Sequence, residues 1–210
     1  MSSKDITDLI IAFQAIITLC IAWRAFYLYG KSRNEILLIV GVSMSIIFVG
    51  GVAGLVGDYL LTSSAFDTFW FRYLGQIVSY LFIFFISLPG AEHHLHFLKR
   101  LNLTASALLL VLLLLTPLLP PIPGVTFTQV LSGSRAVICL AVFLSYYFVI
   151  FSMKGTRFSW LMCAAFLFIA TGIVVYTLKF AAPNPLPYDY IGDSIRAFGL
   201  SCMLAAFFVG

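Results

Sequence analysis

Charge is the scarce quantity in this sequence. Asp, Glu, Lys and Arg make up 10% of its 210 residues, against about 25% in an ordinary soluble domain. A chain so poor in charge cannot cover itself with polar surface, which excludes a water-soluble globule. Histidine is confined to one stretch, His93, His94 and His96. None lies within an apolar run, so a haem held by histidines inside the bilayer and a serine–histidine pair at membrane depth are both excluded. The cysteines, Cys20, Cys139, Cys163 and Cys202, fall singly in apolar runs with no Cys-x-x-Cys. They read as small buried hydrophobes.

What is abundant is apolar. Hydrophobic residues account for 62% of the chain, and the mean hydropathy is +1.07. At ~20 apolar residues per crossing, the length accommodates six or seven membrane helices and no separate soluble domain. The sequence therefore predicts an all-α polytopic membrane bundle of seven helices forming one domain over 1–210. The helices are expected at about 6–29, 35–61, 68–88, 103–119, 134–152, 158–180 and 188–209. GKSRNE, TSSAFD, PGAEHHLHFLKRLN, KGTRFS and AAPNPLPYD separate them, together with the proline-rich PLLPPIPGVTFTQVLSGS between the fourth and fifth. The fourth expected helix, without a charge or an aromatic residue, should face lipid. The first is too long for the apolar core of a cleaved signal and lacks a basic stretch before it.

The distribution of charge sets an expected orientation. Lys4, Asp5 and Asp8 precede or open the first helix, while Arg24, Lys31 and Arg33 close it. With the N-terminus outside, seven basic residues (Arg24, Lys31, Arg33, Lys99, Arg100, Lys154 and Arg157) gather at the cytosolic side. Five (Lys4, Arg72, Arg135, Lys179 and Arg196) gather at the outer side, with Asp5, Asp8, Asp58, Asp67, Asp189 and Asp193. The positive-inside rule then favours an outer N-terminus and a cytosolic C-terminus, in the plasma membrane of the cell. A net charge of +4 shared this way belongs to topology and does not imply a nucleic-acid partner.

The stretch GAEHHLHFLKR, residues 90–100, then falls at the cytosolic end of the third helix and in the loop after it. If helical, it would bring His93 and His96 to one face and Glu92 within reach of His96. Two imidazoles and a carboxylate are weak candidates for a transition metal. A polar collar at the headgroups, beside Lys99 and Arg100, is the reading that demands less, and no metal or cofactor is expected.

Asp58, Arg72, Arg135, Asp193 and Arg196 lie one or two turns inside the outer ends of their helices. A charge at mid-bilayer costs roughly 2.5–3.5 kcal/mol on insertion scales, so these five should turn inward and meet one another. Arg72, Gln76 and Ser79 form one stripe of the third helix, and Asp189, Asp193 and Arg196 another on the seventh. Gly50, Ala53, Gly54 and Gly57 would let neighbouring helices approach the second closely. Asp58, Arg72, Gln76, Arg135, Asp193 and Arg196 are thus the candidate residues, as a ligand-binding pocket or as a structural ion-pair network. Three arginines against two aspartates suit a carboxylate, phosphate or lipid headgroup. Phe66, Phe69, Trp70, Phe71, Tyr73, Tyr188 and Tyr190 at the same level are candidate walls.

Three resemblances bear on function. Seven helices with an outer N-terminus are similar to the rhodopsin layout, but a retinal Schiff base needs a lysine in 188–209 and there is none. Gly54-Leu55-Val56-Gly57-Asp58, with Gly192-Asp193 elsewhere, resembles the glycine-rich aspartate motif of intramembrane aspartyl proteases. That would imply two carboxylates sharing a proton, and Arg196, one turn from Asp193, opposes it. The third likeness is architectural: membrane-embedded sensory domains of microbial signalling proteins share the seven-helix layout. It implies a non-enzymatic sensor- or receptor-like module that binds a small anion. Such a module would act through a cytosolic effector, either a partner or a domain beyond Gly210. The alternative is an accessory subunit buried among other membrane subunits. Without an internal repeat or broken helices, a small transporter is the weaker expectation.

Overall fold

The computed structural model describes residues 3–59, 68–120, 124–153, 155–182 and 186–209, with side chains from 6–57, 68–120, 124–152, 155–182 and 186–209. Seven α-helices fill it: α1 (Ser3–Ser32), α2 (Glu35–Tyr59), α3 (Phe69–Ser87), α4 (Leu95–Leu114), α5 (Gly124–Met153), α6 (Arg157–Leu178) and α7 (Leu186–Val209). Each is long and apolar enough to cross a membrane, and the chain is a multi-pass membrane protein in contact with lipid. In hydrocarbon a backbone must satisfy its own hydrogen bonds, and a helix does so within one segment.

The turns show how local sequence punctuates these helices. α1 ends at Arg33, which takes the left-handed conformation (φ 56°) and donates its N–H to the Tyr29 carbonyl at 2.8 Å. Asn34 then caps α2 by accepting the Ile36 N–H at 3.0 Å. After α3, Leu88 is extended before Pro89, Gly90 turns left-handed at φ 84°, and a 3-10 turn (Ala91–His94) leads into α4. Thr156 caps α6 through the Ser159 N–H.

Two expected boundaries need correction. α4 begins at Leu95, eight residues before the expected start, and ends at Leu114. The stretch GAEHHLHFLKR is therefore the approach to α4 and its first turns, and α4 carries Phe97, Lys99 and Arg100. Hydropathy marks only the lipid-immersed part of a helix, and the first turns of α4 are too polar to register. α5 likewise begins at Gly124, ten residues early. The prolines end before it, and a polar but proline-free VTFTQVLSGS continues as helix.

Six helices close a ring. α1 packs on α2 and α7, α3 joins α2 to α5, and α6 lies between α5 and α7. The main core fills this ring with Ile21, Met44, Tyr80, Cys139, Phe166, Ile169 and Met203. α4 stands outside it, against α2 and α3, and only 17% of its most apolar stretch is buried, against 33% for the next lowest span. Leu98 and Leu109 dock it into two small apolar clusters. Asn102 donates to Ser43 Oγ at 3.2 Å, while Ser79 of α3 donates to the Ser43 carbonyl at 2.9 Å. Lys99 and His96 both meet Glu35 at the start of α2, at 2.5 and 2.9 Å.

The closest backbone approach is between α6 and α7. A Cβ added at Gly172 would stand 2.6 Å from the Gly192 carbonyl oxygen and 2.8 Å from the Arg196 nitrogen. One added at Gly192 would stand 2.7 Å from the Gly172 oxygen. Small residues here let two helices touch through their main chains. Gly133 of α5 has nothing within 4 Å of such an added atom. Gly172→Ala is therefore expected to lower stability in detergent by about 1–3 kcal/mol, the usual range for overpacking. Gly133→Ala should leave it unchanged or slightly raised, as intrinsic helix propensity favours alanine. Thermal melting of the two variants beside the wild type checks this.

Candidate functional site

Toward the amino-terminal end of α1, a cavity of about 170 Å³ opens into the ring. Here this is called the polar end, and the opposite face, with His93, His94 and His96, the histidine end. Five helices supply its polar lining: Thr7 and Asp8 of α1, Arg72, Tyr73 and Gln76 of α3, Arg135 of α5, Tyr176 of α6, and Asp189, Asp193 and Arg196 of α7. Lys179, just past α6, completes it. A smaller chamber of about 20 Å³ lies deeper, lined by Gln14, Thr18, Gln76, Tyr80 and Arg196 among others.

Arg135 is the most enclosed cation among the described residues, 4% exposed. Its Nη1 donates to Gln76 Oε1 at 2.5 Å and its Nη2 to Ser132 Oγ at 2.9 Å. Ser132 in turn shares a hydrogen bond with Thr177 Oγ1 at 2.7 Å. The guanidinium lies over the Tyr73 ring at 4.3 Å, an arrangement worth ~2 kcal/mol when desolvated. Its Nε–H has no acceptor among the described residues. An orphaned donor on a buried guanidinium is costly, and this one belongs to a side chain that lines open space.

The second knot joins α1 to α7. Gln14 Oε1 accepts from Arg196 Nε at 3.0 Å and from Nη2 at 2.5 Å. Its amide nitrogen donates to the Asp193 carbonyl at 2.7 Å. Arg196 Nη2 also stands 3.0 Å from Asp193 Oδ1, both groups nearly buried. That contact is an ion pair by distance but poorly aligned as a hydrogen bond, since Oδ1 counts no hydrogen-bond donor among the described residues. Nearer the mouth, Lys179 pairs with Asp189 at 2.8 Å and sits over the Tyr176 ring at 3.8 Å.

Of the residues singled out from sequence, Arg72, Gln76, Arg135, Asp193 and Arg196 border this one cavity. Asp58 lies near the end of α2, and its side chain falls outside the described residues. Gly54 leaves room for Arg72, since a Cβ there would stand 3.0 Å from Arg72 Nη1. Ser79 turns away to Ser43. Of the candidate walls, Phe69 and Tyr73 reach the cavity. Phe71 packs against Leu109 of α4 instead, Trp70 donates to the Pro120 carbonyl, and Phe66 lies outside the described residues. Asp8, Gln14, Tyr176, Lys179 and Asp189 belong to the site and were not among its candidates. Gln14 was detectable: an amide within the run LIIAFQAIITL has to find a partner, as a charge does.

The weak metal candidates part company. Glu92 and His93 lie in the 3-10 turn, whereas His96 stands in α4 and faces Glu35 through Nδ1, with 86% of its side chain exposed. Among the described residues no three His, Cys, Asp or Glu side chains converge. Compared with protein-family models, curated proteins and solved structures, the chain matches none.

Arg196→Ala strands the Asp193 carboxylate, which is 3% exposed. Removing one partner of a buried pair costs about 3–5 kcal/mol. The double change Asp193→Ala with Arg196→Ala should therefore melt above the single Arg196→Ala. A double variant melting no higher would show that Arg196 does not serve to neutralise Asp193.

Proposed function

We propose that the chain is a non-enzymatic, sensor- or receptor-like membrane protein that takes a small anionic group into the cavity at the polar end. The observation carrying this is Arg135, a cation only 4% exposed that lines the cavity with no carboxylate paired to it among the described residues. Among the described residues, Arg72, Arg135, Lys179 and Arg196 face Asp8, Asp189 and Asp193 around the cavity, one positive charge in surplus. A carboxylate or phosphate in the cavity would balance that charge beside the guanidinium.

The proposal includes an orientation, with the polar end outside the cell and the histidine end in the cytosol. Lys31, Arg33, Arg100 and Arg157 are exposed at the histidine end, whereas the described cations of the polar end line the cavity. Free basic residues are the ones held back at the cytosolic face. A second reading, an accessory subunit of a larger membrane assembly, draws support from α4. Its exposed Leu103, Leu110 and Leu114 suit a neighbouring helix as well as lipid.

Native mass spectrometry of the protein, extracted gently from its own membrane, tests the two readings. A lone chain carrying a small anionic adduct, lost in Arg135→Gln, is the expected result. A stoichiometric complex with other polypeptides and no adduct would favour the subunit. Purified protein should also bind methyl phosphate, with affinity on the order of tenfold weaker in Arg135→Gln, as for one charge-assisted hydrogen bond. Orientation is checked in intact cells after replacing the four cysteines. A membrane-impermeant maleimide should label Ala181→Cys and spare Ser32→Cys, and the reverse pattern would invert the topology.

A further inference from the structure

The end of the ring opposite the polar cavity is also open. A cavity of about 640 Å³ lies there, between the last turns of α1 and α7 and the first turns of α2 and α6. α2 and α6 are opposite members of the ring, joined through α1 and α7 on one side and through α3 and α5 on the other. A cavity walled by both therefore lies over the ring's interior. Its floor is the top of the main core. Leu28 of α1, Leu37 of α2 and Phe158 of α6 pack on that core, and Phe207 of α7 belongs to it. The Phe158 ring stands edge-on to that of Phe207 at 5.8 Å. The wall between α1 and α7 is fastened by Arg24, whose Nε–H donates to the Phe207 carbonyl at 3.2 Å. With core beneath it and helices around it, the cavity opens along the ring's axis, toward water.

Polarity in this cavity is sorted by depth. Lys31, Ser32, Asn34, Thr156 and Arg157 are exposed at the rim with Val209 beside them, whereas Leu28, Leu37 and Phe158 are half-buried and Phe207 is buried. Among the described residues the two charges lining it are both positive, and neither Lys31 nor Arg157 makes an ion pair. Glu35, the carboxylate that follows Asn34, is taken by Lys99 and His96 of α4. A small-molecule site meets its ligand's polar atoms inside the pocket and buries most of the ligand's surface. An apolar floor ringed by exposed polar groups has instead the anatomy of a protein interface, in which a bulky side chain anchors the centre and charges at the edge select the partner.

We infer that the histidine end of the ring docks an acidic segment of a partner protein on that side of the membrane. One bulky apolar side chain of the segment enters the cavity, and carboxylates flanking it meet Lys31 and Arg157. α1, α6 and α7 wall this cavity and the polar one alike, so a partner seated here touches helices that a ligand at the polar end also touches. The inference goes beyond the function proposed above and does not depend on which group the polar cavity takes.

The test uses a synthetic hexapeptide with para-fluorophenylalanine and leucine at its centre and two glutamates on each side. It is titrated, by fluorine NMR, into the full chain in phosphatidylcholine nanodiscs, with empty nanodiscs as the blank. The peptide is expected to bind on the order of tenfold more tightly than a counterpart with lysines in place of the glutamates, the worth of a few exposed charge pairs. Lys31→Gln with Arg157→Gln should remove that preference. Ser32→Trp, which fills the mouth from an exposed position, should abolish binding, and Val209→Trp serves the same purpose if Ser32→Trp does not fold. No preference for the acidic peptide, or binding that survives a blocked mouth, overturns the inference. So does para-fluorophenylacetate binding as tightly as the peptide, which would assign the cavity to a small soluble anion. Native mass spectrometry from mixed nanodiscs covers the remaining occupant: phosphatidylglycerol retained over phosphatidylcholine through Lys31 and Arg157, with no peptide bound, would overturn the inference in favour of a lipid headgroup. Methyl phosphate binding at the polar end should be unchanged in all these variants, so failure here leaves the function proposed above standing.

Discussion

A buried polar group in this protein has to look for its partner on another helix, because hydrocarbon offers none. The packing of the polar half follows from that one constraint. The charge of Arg196 is offset inside the bundle by Asp193 and hydrogen-bonded by Gln14, and Gln14 can reach it only if α1 lies beside α7. Arg135 needs Gln76 of α3, and Ser132 in its turn reaches Thr177 of α6. The bonds between helices join α1 to α7, α3 to α5 and α5 to α6, so together they fix which helices neighbour one another and at what depth. Apolar contacts through the core supply attraction but tolerate sliding. The polar knots are directional and do not.

α4 obeys the same constraint in a weaker form. It has no place in the ring, and what orients it is polar: Asn102 to Ser43, and Lys99 with His96 to Glu35. Asn102 Oδ1 is left without a donor among the described residues, so the contact with Ser43 is a single bond for an amide able to make several. α4 is thus held by fewer and poorer contacts than any member of the ring, and its outer face is almost wholly aliphatic.

The helices were legible in the sequence because a crossing needs a long apolar run, and such runs are plain. The inward-facing charges were legible for the complementary reason: Arg72, Arg135, Asp193 and Arg196 stand in runs where an ion has no business facing lipid. What escaped was of two kinds. The polar beginnings of α4 and α5 lie where helix can continue into the interface, and hydropathy is silent there. Glu35 finding Lys99 and His96, 64 and 61 positions on, or Tyr176 walling a cavity with Lys179 at its mouth, depends on which helices become neighbours, and no local pattern encodes that. Gln14 lies between the two cases, marked as unusual by its surroundings while its partner stayed hidden.

The partner of Gln14 lies 182 positions further along the chain. At a synthesis rate of 5–20 residues per second, roughly 10–35 s separate the emergence of the amide from that of Arg196. During that interval α1 already sits in or beside the translocation machinery with an unsatisfied amide among its apolar residues. α7 emerges after the other six helices described here, and it is the one that closes the ring. Closure of the ring therefore waits for one defined step, in which the seventh helix docks between the first and the sixth. Until then α1, α2, α3, α5 and α6 form an open arc whose polar interior lacks its closing wall, and a chain arrested at that length would expose to quality control the groups that the closed ring conceals.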